Sequence, residues 1–186
     1  MKLRSVLFFV FLFTASTSFA QQRMEIQDIS EILVHGTSTL HDWTMNCEQF
    51  SGSAMITLEE GNITEASDFN FSIVVKSMNS GKKGMDKNVY KAMSESEHPN
   101  IEFKSTQVDI RPQGEGFYVV AEGELTIAGA TNTVTLEADG RKSGEHWVFS
   151  GKEEVHTPDY GVERVSAMMG TMKSGEDVVI DFDIIL

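Results

Sequence analysis

GELTIAGATNTVTLEADG, residues 123–140, reads as two antiparallel strands folded about a tight connection. Leu125 and Ile127 alternate with Glu124 and Thr126. After the small residues Ala128-Gly129-Ala130, Val134, Leu136 and Ala138 alternate with Thr133, Thr135, Glu137 and Asp139. Successive side chains of a strand point to opposite faces, so a period of two sets one face on an apolar interior and the other in water.

The rhythm extends both ways from this hairpin. Ile32 and Val34 mark a first strand, and Ala54, Ile56 and Leu58 alternate along Ser53–Glu60 before a turn at Gly61-Asn62. Phe69, Phe71, Ile73 and Val75 share one side of a strand over Asp68–Met78. Along Ile101–Arg111, Ile101, Phe103 and Ser105 fall on one side but Val108 and Ile110 on the other. That phase slip predicts a bulge near Thr106-Gln107 that bends the strand. Beyond the turn Gly114-Glu115-Gly116, the strand Phe117–Ile127 points Phe117, Val119, Ala121, Leu125 and Ile127 inward. Gly140–Gly144 reads as a turn into His146–Val155, where Trp147 and Phe149 alternate against Val148. Thr157–Gly175 is irregular, and the chain closes on Val178–Leu186 with Val178, Ile180, Phe182 and Ile184 on one face.

About eight alternating strands joined by short turns, without a βαβ rhythm, predict an all-β antiparallel fold. A closed barrel would remove the exposed edges of so large a sheet. A barrel of about eight strands has just enough interior to be filled by side chains or to hold one small ligand. A two-sheet sandwich is the alternative.

One segment, Ser80–His98, breaks the pattern. Met85, Val89 and Met93 recur every four residues beside Ala92, which predicts one short helix over roughly Met85–Met93, stopped by Pro99. Lys83, Lys87 and Lys91 run parallel to the apolar stripe. They are either a solvated helix face or a positive lip beside an apolar cavity. Nine methionines lie beyond residue 20, mainly at Met78–Met93 and Met168–Met172. Methionine adapts to varied apolar contacts and suits either a core or a promiscuous binding surface.

Residues 1–20 read as a signal peptide. Lys2 and Arg4 precede an apolar run from Val6 to Phe13, and Ser18-Phe19-Ala20 forms a small-x-small cleavage signal. An uncleaved span would need about 20 apolar residues, and this run is shorter. The expectation is therefore export, to the periplasm or outside the cell. Residues 21–186 remain as a single domain with no stable membrane insertion. The formal net charge is −13, and about −15 once Lys2 and Arg4 are removed. Nucleic acid is thereby excluded as a partner, because phosphate binding needs a basic footprint. Cys47 stands alone, so no disulfide can form within the chain. Whether the protein forms oligomers is left open.

Phosphate loops, dinucleotide fingerprints and metal-ligand spacings are absent, so no cofactor or metal is expected. His41-Asp42, in the polar and aromatic corner HGTSTLHDW (His35–Trp43), is the one pairing with acid-base chemistry in principle. Neighbours on a strand point to opposite faces, however, and a corner that hydrogen-bonds its own turn, with Trp43 packed inward, accounts for the same residues.

Three stretches, HPNIEFKSTQVDI (98–110), GELTIAGATNTVTLEAD (123–139) and the ending GEDVVIDFDIIL, together resemble the YceI-like family of exported polyisoprenoid-binding proteins over about Ile32–Ile185. The first two come near the family forms yPxixFxSt and GxLTixGvTxpVtl. The resemblance implies an eight-stranded, lipocalin-like antiparallel barrel with a helix near its mouth and a long isoprenoid chain in an apolar tunnel. Where the family often carries Arg-Asp-x-x-His-Leu, this chain has Met85-Asp86-Lys87-Asn88-Val89-Tyr90, and its His-Asp-Trp corner also departs from the common form.

The leading expectation is a non-enzymatic carrier of an isoprenoid-type lipid, a quinone or polyprenyl compound. Phe71, Ile73, Phe103, Leu125, Val134, Leu136, Trp147 and Phe182 would line the tunnel, Met85, Val89 and Met93 would form its lid, and Lys83, Lys87 and Lys91 would meet the head group. Two alternatives remain: an enzyme acting on a hydrophobic substrate with His41 and Asp42 as its acid-base pair, and a filled, ligand-free exported interaction module.

Overall fold

The computed structural model describes residues 20–167 and 171–186. Met168, Met169 and residues 1–19 of the expected signal peptide (1–20) lie outside the described residues. Among the described residues, no helix is long and apolar enough to cross a membrane.

The chain forms β1 (Ala20–Glu25), β2 (Glu31–Ser38), β3 (Trp43–Cys47), β4 (Phe50–Glu59), β5 (Asn62–Val74), β6 (Met78–Asn79), α1 (Lys83–Ala92), β7 (Asn100–Gln113), β8 (Gly116–Ile127), β9 (Ala130–Ser143), β10 (His146–His156), β11 (Ser166–Ala167) and β12 (Met172–Ile185). Every pairing is antiparallel. The hydrogen-bonded path runs β1-β4-β5-β7-β8-β9-β10-β12-β2-β3-β6, with β11 off it against β12. One curled, barrel-like antiparallel sheet results, and the two-sheet sandwich is excluded.

The expected count of eight strands is too low, because eleven lie along this path. β1 is polar (AQQRME) and β3 only five residues long, so neither shows a readable alternation. β6 is split from β5 by a single 3-10 turn, Val75–Ser77. The extra strands also explain the curl. β3 leads almost directly into β4, and the turn leads β5 into β6. The two joints hydrogen-bond to each other, Glu48 N to Ser77 O and Val74 N to Gln49 O. The segment expected to be irregular, Thr157–Gly175, contains a 3-10 turn at Thr157–Tyr160, β11 and the start of β12.

The opening hairpin is β8–β9, closed by the pair Ile127–Ala130. Its two connecting residues, Ala128 and Gly129, both have positive φ, 49° and 82°. Two such residues make the primed turn whose twist matches that of the flanking strands. Alanine pays a Cβ–carbonyl clash there that asparagine tolerates better. Ala128→Asn is therefore expected to stabilise the protein by about 0.5–1 kcal/mol, measurable as a raised denaturant midpoint at unchanged m-value.

The bulge in β7 falls between Ser105 and Gln107. Below it the interior is closed by aromatic packing. Phe117 lies 5.6 Å from both Trp147 and Phe149, and a Cβ on Gly140 would meet the Phe117 ring at 1.9 Å, so only glycine admits that ring. The Lys142 ammonium sits 5.2 Å over the Trp147 ring and donates to Gly61 O. This end is shut.

Candidate lipid-binding site

At the opposite end α1 lies across the sheet. Its apolar stripe turns inward, with Val89 buried and Met93 just beyond the last turn also buried. The start of the helix is tied to the preceding loop by Asp86, whose carboxylate accepts hydrogen bonds from Ser80 N and Oγ. Tyr90 Oη donates to Met78 O at 2.7 Å and fixes the middle of the helix to β6.

Under this helix is an apolar chamber of about 330 Å³. Met85, Val89 and Met93 form its roof, and Val34, Trp43, Met45, Ile101, Ile127 and Val178 are among its walls. Deeper in the sheet is a second chamber of about 100 Å³, faced only by apolar atoms. Phe71, Ile73, Leu125, Leu136 and Phe182 line it.

Three expected lining residues border neither chamber. Phe103 is fully buried, stacked on Phe71 at 5.5 Å and beside Phe69 at 5.6 Å, so it forms the wall behind the lower chamber. Trp147 plugs the closed end. Val134 packs against the core from a half-buried position on β9. Of the methionines clustered at Met78–Met93 and Met168–Met172, Met78, Met85, Met93 and Met172 reach the upper chamber.

Lys83, Lys87 and Lys91 are exposed and border neither chamber. A four-residue repeat puts them on one face of α1, but the apolar stripe that docks inward turns that face to solvent. The polar residues that border the upper chamber instead include His41, Lys82, Asn88 and Glu163. Lys82 is the residue just before α1, so it falls outside the periodic stripe and no spacing marks it.

His41 does not pair with the Asp42 carboxylate. Its Nδ1 meets the Asp42 main-chain oxygen at 2.8 Å, and its Nε2 faces Lys82 Nζ at 3.5 Å. A carbonyl only accepts and an ammonium only donates, so the network fits a neutral ring protonated at Nδ1. The corner is held by Ser38 Oγ donating to His41 O and by Trp43 Nε1 donating to Thr37 O. At this corner the geometry offers a hydrogen-bonding rim, and His41 and Asp42 are not oriented as an acid-base pair.

Cys47 is buried, and burial pushes its thiol up to about 12, which keeps it a neutral thiol. Glu153, on the inward face of β10, lines the lower chamber with its methylene stem. Burial, then the charges of Glu137 and Glu154, raise its carboxyl above the usual range. An acid that holds its proton more tightly folded than unfolded stabilises the fold at low pH. That contribution is lost as pH rises through the raised folded value. Glu153→Gln is expected to raise the melting temperature at pH 7 by about 1–3 °C. The gain should vanish below the ordinary carboxylate range, a sign that melts from pH 3.5 to 7.5 check.

The YceI-like domain profile matches residues 14–186. The chain belongs to the YceI-like family. Solved structures agree on the fold. Burkholderia cenocepacia BcnA is 20% identical with a TM-score of 0.66, the match covering 84% of this chain and 96% of that one. A polyisoprenoid binding domain from Saccharophagus degradans, implicated in plant cell wall breakdown, is 12% identical with a TM-score of 0.69, covering 89% and 98%. The Campylobacter jejuni YCEI protein is 17% identical with a TM-score of 0.58, covering 76% and 82%. No curated protein matches this YceI-like chain.

Proposed function

We propose that this YceI-like protein is a non-enzymatic carrier of an isoprenoid-type lipid, a polyprenyl compound or quinone, exported by its N-terminal signal. The observation that carries the reading is the roofed, apolar upper chamber of about 330 Å³, within the range of small-molecule sites. It lies in a fold shared with a domain described as polyisoprenoid-binding. A space left open beneath an adaptable Met85–Met93 roof argues against a filled interaction module.

The energetics assign the tail the leading role. Burying a five-carbon prenyl unit is worth about 4 kcal/mol gross at about 0.8 kcal/mol per CH₂. Two or three units outweigh a large share of the cost of association. An exposed charge at the rim adds about 1 kcal/mol or less. The head group therefore tunes affinity through Lys82, His41 and Glu163, whose opposite charges favour hydrogen bonding over capture of a strong anion.

The test is solvent extraction of the full-length protein purified from its native host, followed by mass spectrometry. A long-chain isoprenoid recovered in near-stoichiometric amount is the expected result. Repeated recovery of no long-chain lipid, with failure of the stripped protein to take up prenols, would overturn the reading.

A further inference from the structure

The two chambers are separate volumes, and among the described residues Ile180 alone borders both. It sits on β12 opposite Glu153 of β10. Above it the interior widens under α1, and below it narrows to the smaller chamber. The wall of the lower chamber also includes an unladdered stretch. β5 and β7 are laddered only from Asn70–Lys104 to Val74–Asn100, although β5 begins at Asn62 and β7 runs on to Gln113.

Both strands bend where the ladder stops. Asp68 holds a left-handed φ of 50° in β5, and the β7 bulge falls between Ser105 and Gln107. Beyond that point the two strands share no ladder pairs, and Ala66, Phe69, Val108 and Ile110, all only half-buried, line the lower chamber beside this gap in the ladder. Half-exposed apolar side chains at an unladdered gap are what a second exit from an apolar interior requires.

Building on the carrier reading above, we propose that Ile180 sets the chain length of the bound lipid. A short chain stays in the upper chamber. A longer one passes Ile180, fills the lower chamber and emerges between β5 and β7, so the preferred ligand is a chain longer than the roofed chamber alone can hold.

The experiment measures the affinities of geraniol, farnesol, geranylgeraniol and solanesol for the stripped full-length protein by calorimetry. Wild type is compared with Ile180→Trp, which closes the passage, and Ala66→Trp, which obstructs the lower chamber without touching the upper one. In wild type each added prenyl unit should strengthen binding by about tenfold or more until the ligand reaches the unladdered stretch. In Ala66→Trp the shortest prenol, held in the upper chamber, should bind within about threefold of wild type, and in both variants the gain with length stops early and the longest prenols lose about 100-fold. Thermal melts identify a misfolded variant, and the other then decides.

Wild-type affinity that stops rising once the upper chamber is filled would overturn the proposal, as would folded variants that keep the whole gain; either leaves the carrier reading standing. Failure of every prenol to bind wild type removes the carrier reading and this proposal together.

Discussion

Replacing Phe103 with alanine is expected to cost about 3–5 kcal/mol and to lower the melting temperature by about 10 °C or more. Phe103 is 1% exposed. It pairs across β7 with Phe71 on one side and Leu125 on the other, and its ring lies against Gly123, where an added Cβ would come within 2.6 Å. Strands pinned in register on both sides cannot collapse into the space the ring leaves. The loss therefore includes a cavity as well as the transfer free energy. Equilibrium denaturation in urea measures it. A cost below about 1.5 kcal/mol would mean that this wall can relax. The same variant should also weaken lipid binding, since Phe71 rests on the Phe103 ring and lines the lower chamber.

Filling the upper chamber should have a comparably large effect on affinity with little effect on stability. Val178 lines that chamber from a half-buried position opposite Gly36 of β2. Val178→Phe puts about four more carbons into the space a prenyl unit would occupy. At about 0.8 kcal/mol per displaced CH₂, the gross loss is about 3 kcal/mol, so a drop of about 100-fold in prenol affinity is expected. Lys87→Ala, on the exposed face of α1, should change affinity by less than about threefold. Prenol titrations followed by quenching of Trp43, which borders the chamber, separate the two. Equal effects from both substitutions would mean that the helix's outer face, and not the chamber, takes the ligand.

The parts of the site that were legible in the sequence are those that depend on a residue's face. Met85, Val89 and Met93 recur at helical spacing, and they roof the upper chamber because a docked helix buries its apolar stripe. Phe71, Ile73, Leu125, Leu136 and Phe182 alternate in strands and face inward for the same kind of reason. Trp147 and Phe103 alternate just as regularly, yet one plugs the closed end and the other forms a wall. A period of two gives the face of a residue but not its height along the barrel-like interior, which depends on strands far away in the chain. Lys82 and Glu163 were missed for a related reason: they lie outside the periodic segments, and only the docking of α1 over the open end brings them to one rim.

By itself the sequence determined an all-β antiparallel chain, the helix α1, the bulge near Thr106-Gln107 and its YceI-like kinship, because alternation, phase slips and motif order are written in consecutive residues. Tertiary structure alone decided that the interior divides at Ile180, that the β5–β7 ladder ends at Asn70–Lys104, and that the lysine stripe faces away. Those features arise where strands distant in sequence meet or part. Local periodicity carries no information about such meetings, so they exist only once the sheet has curled.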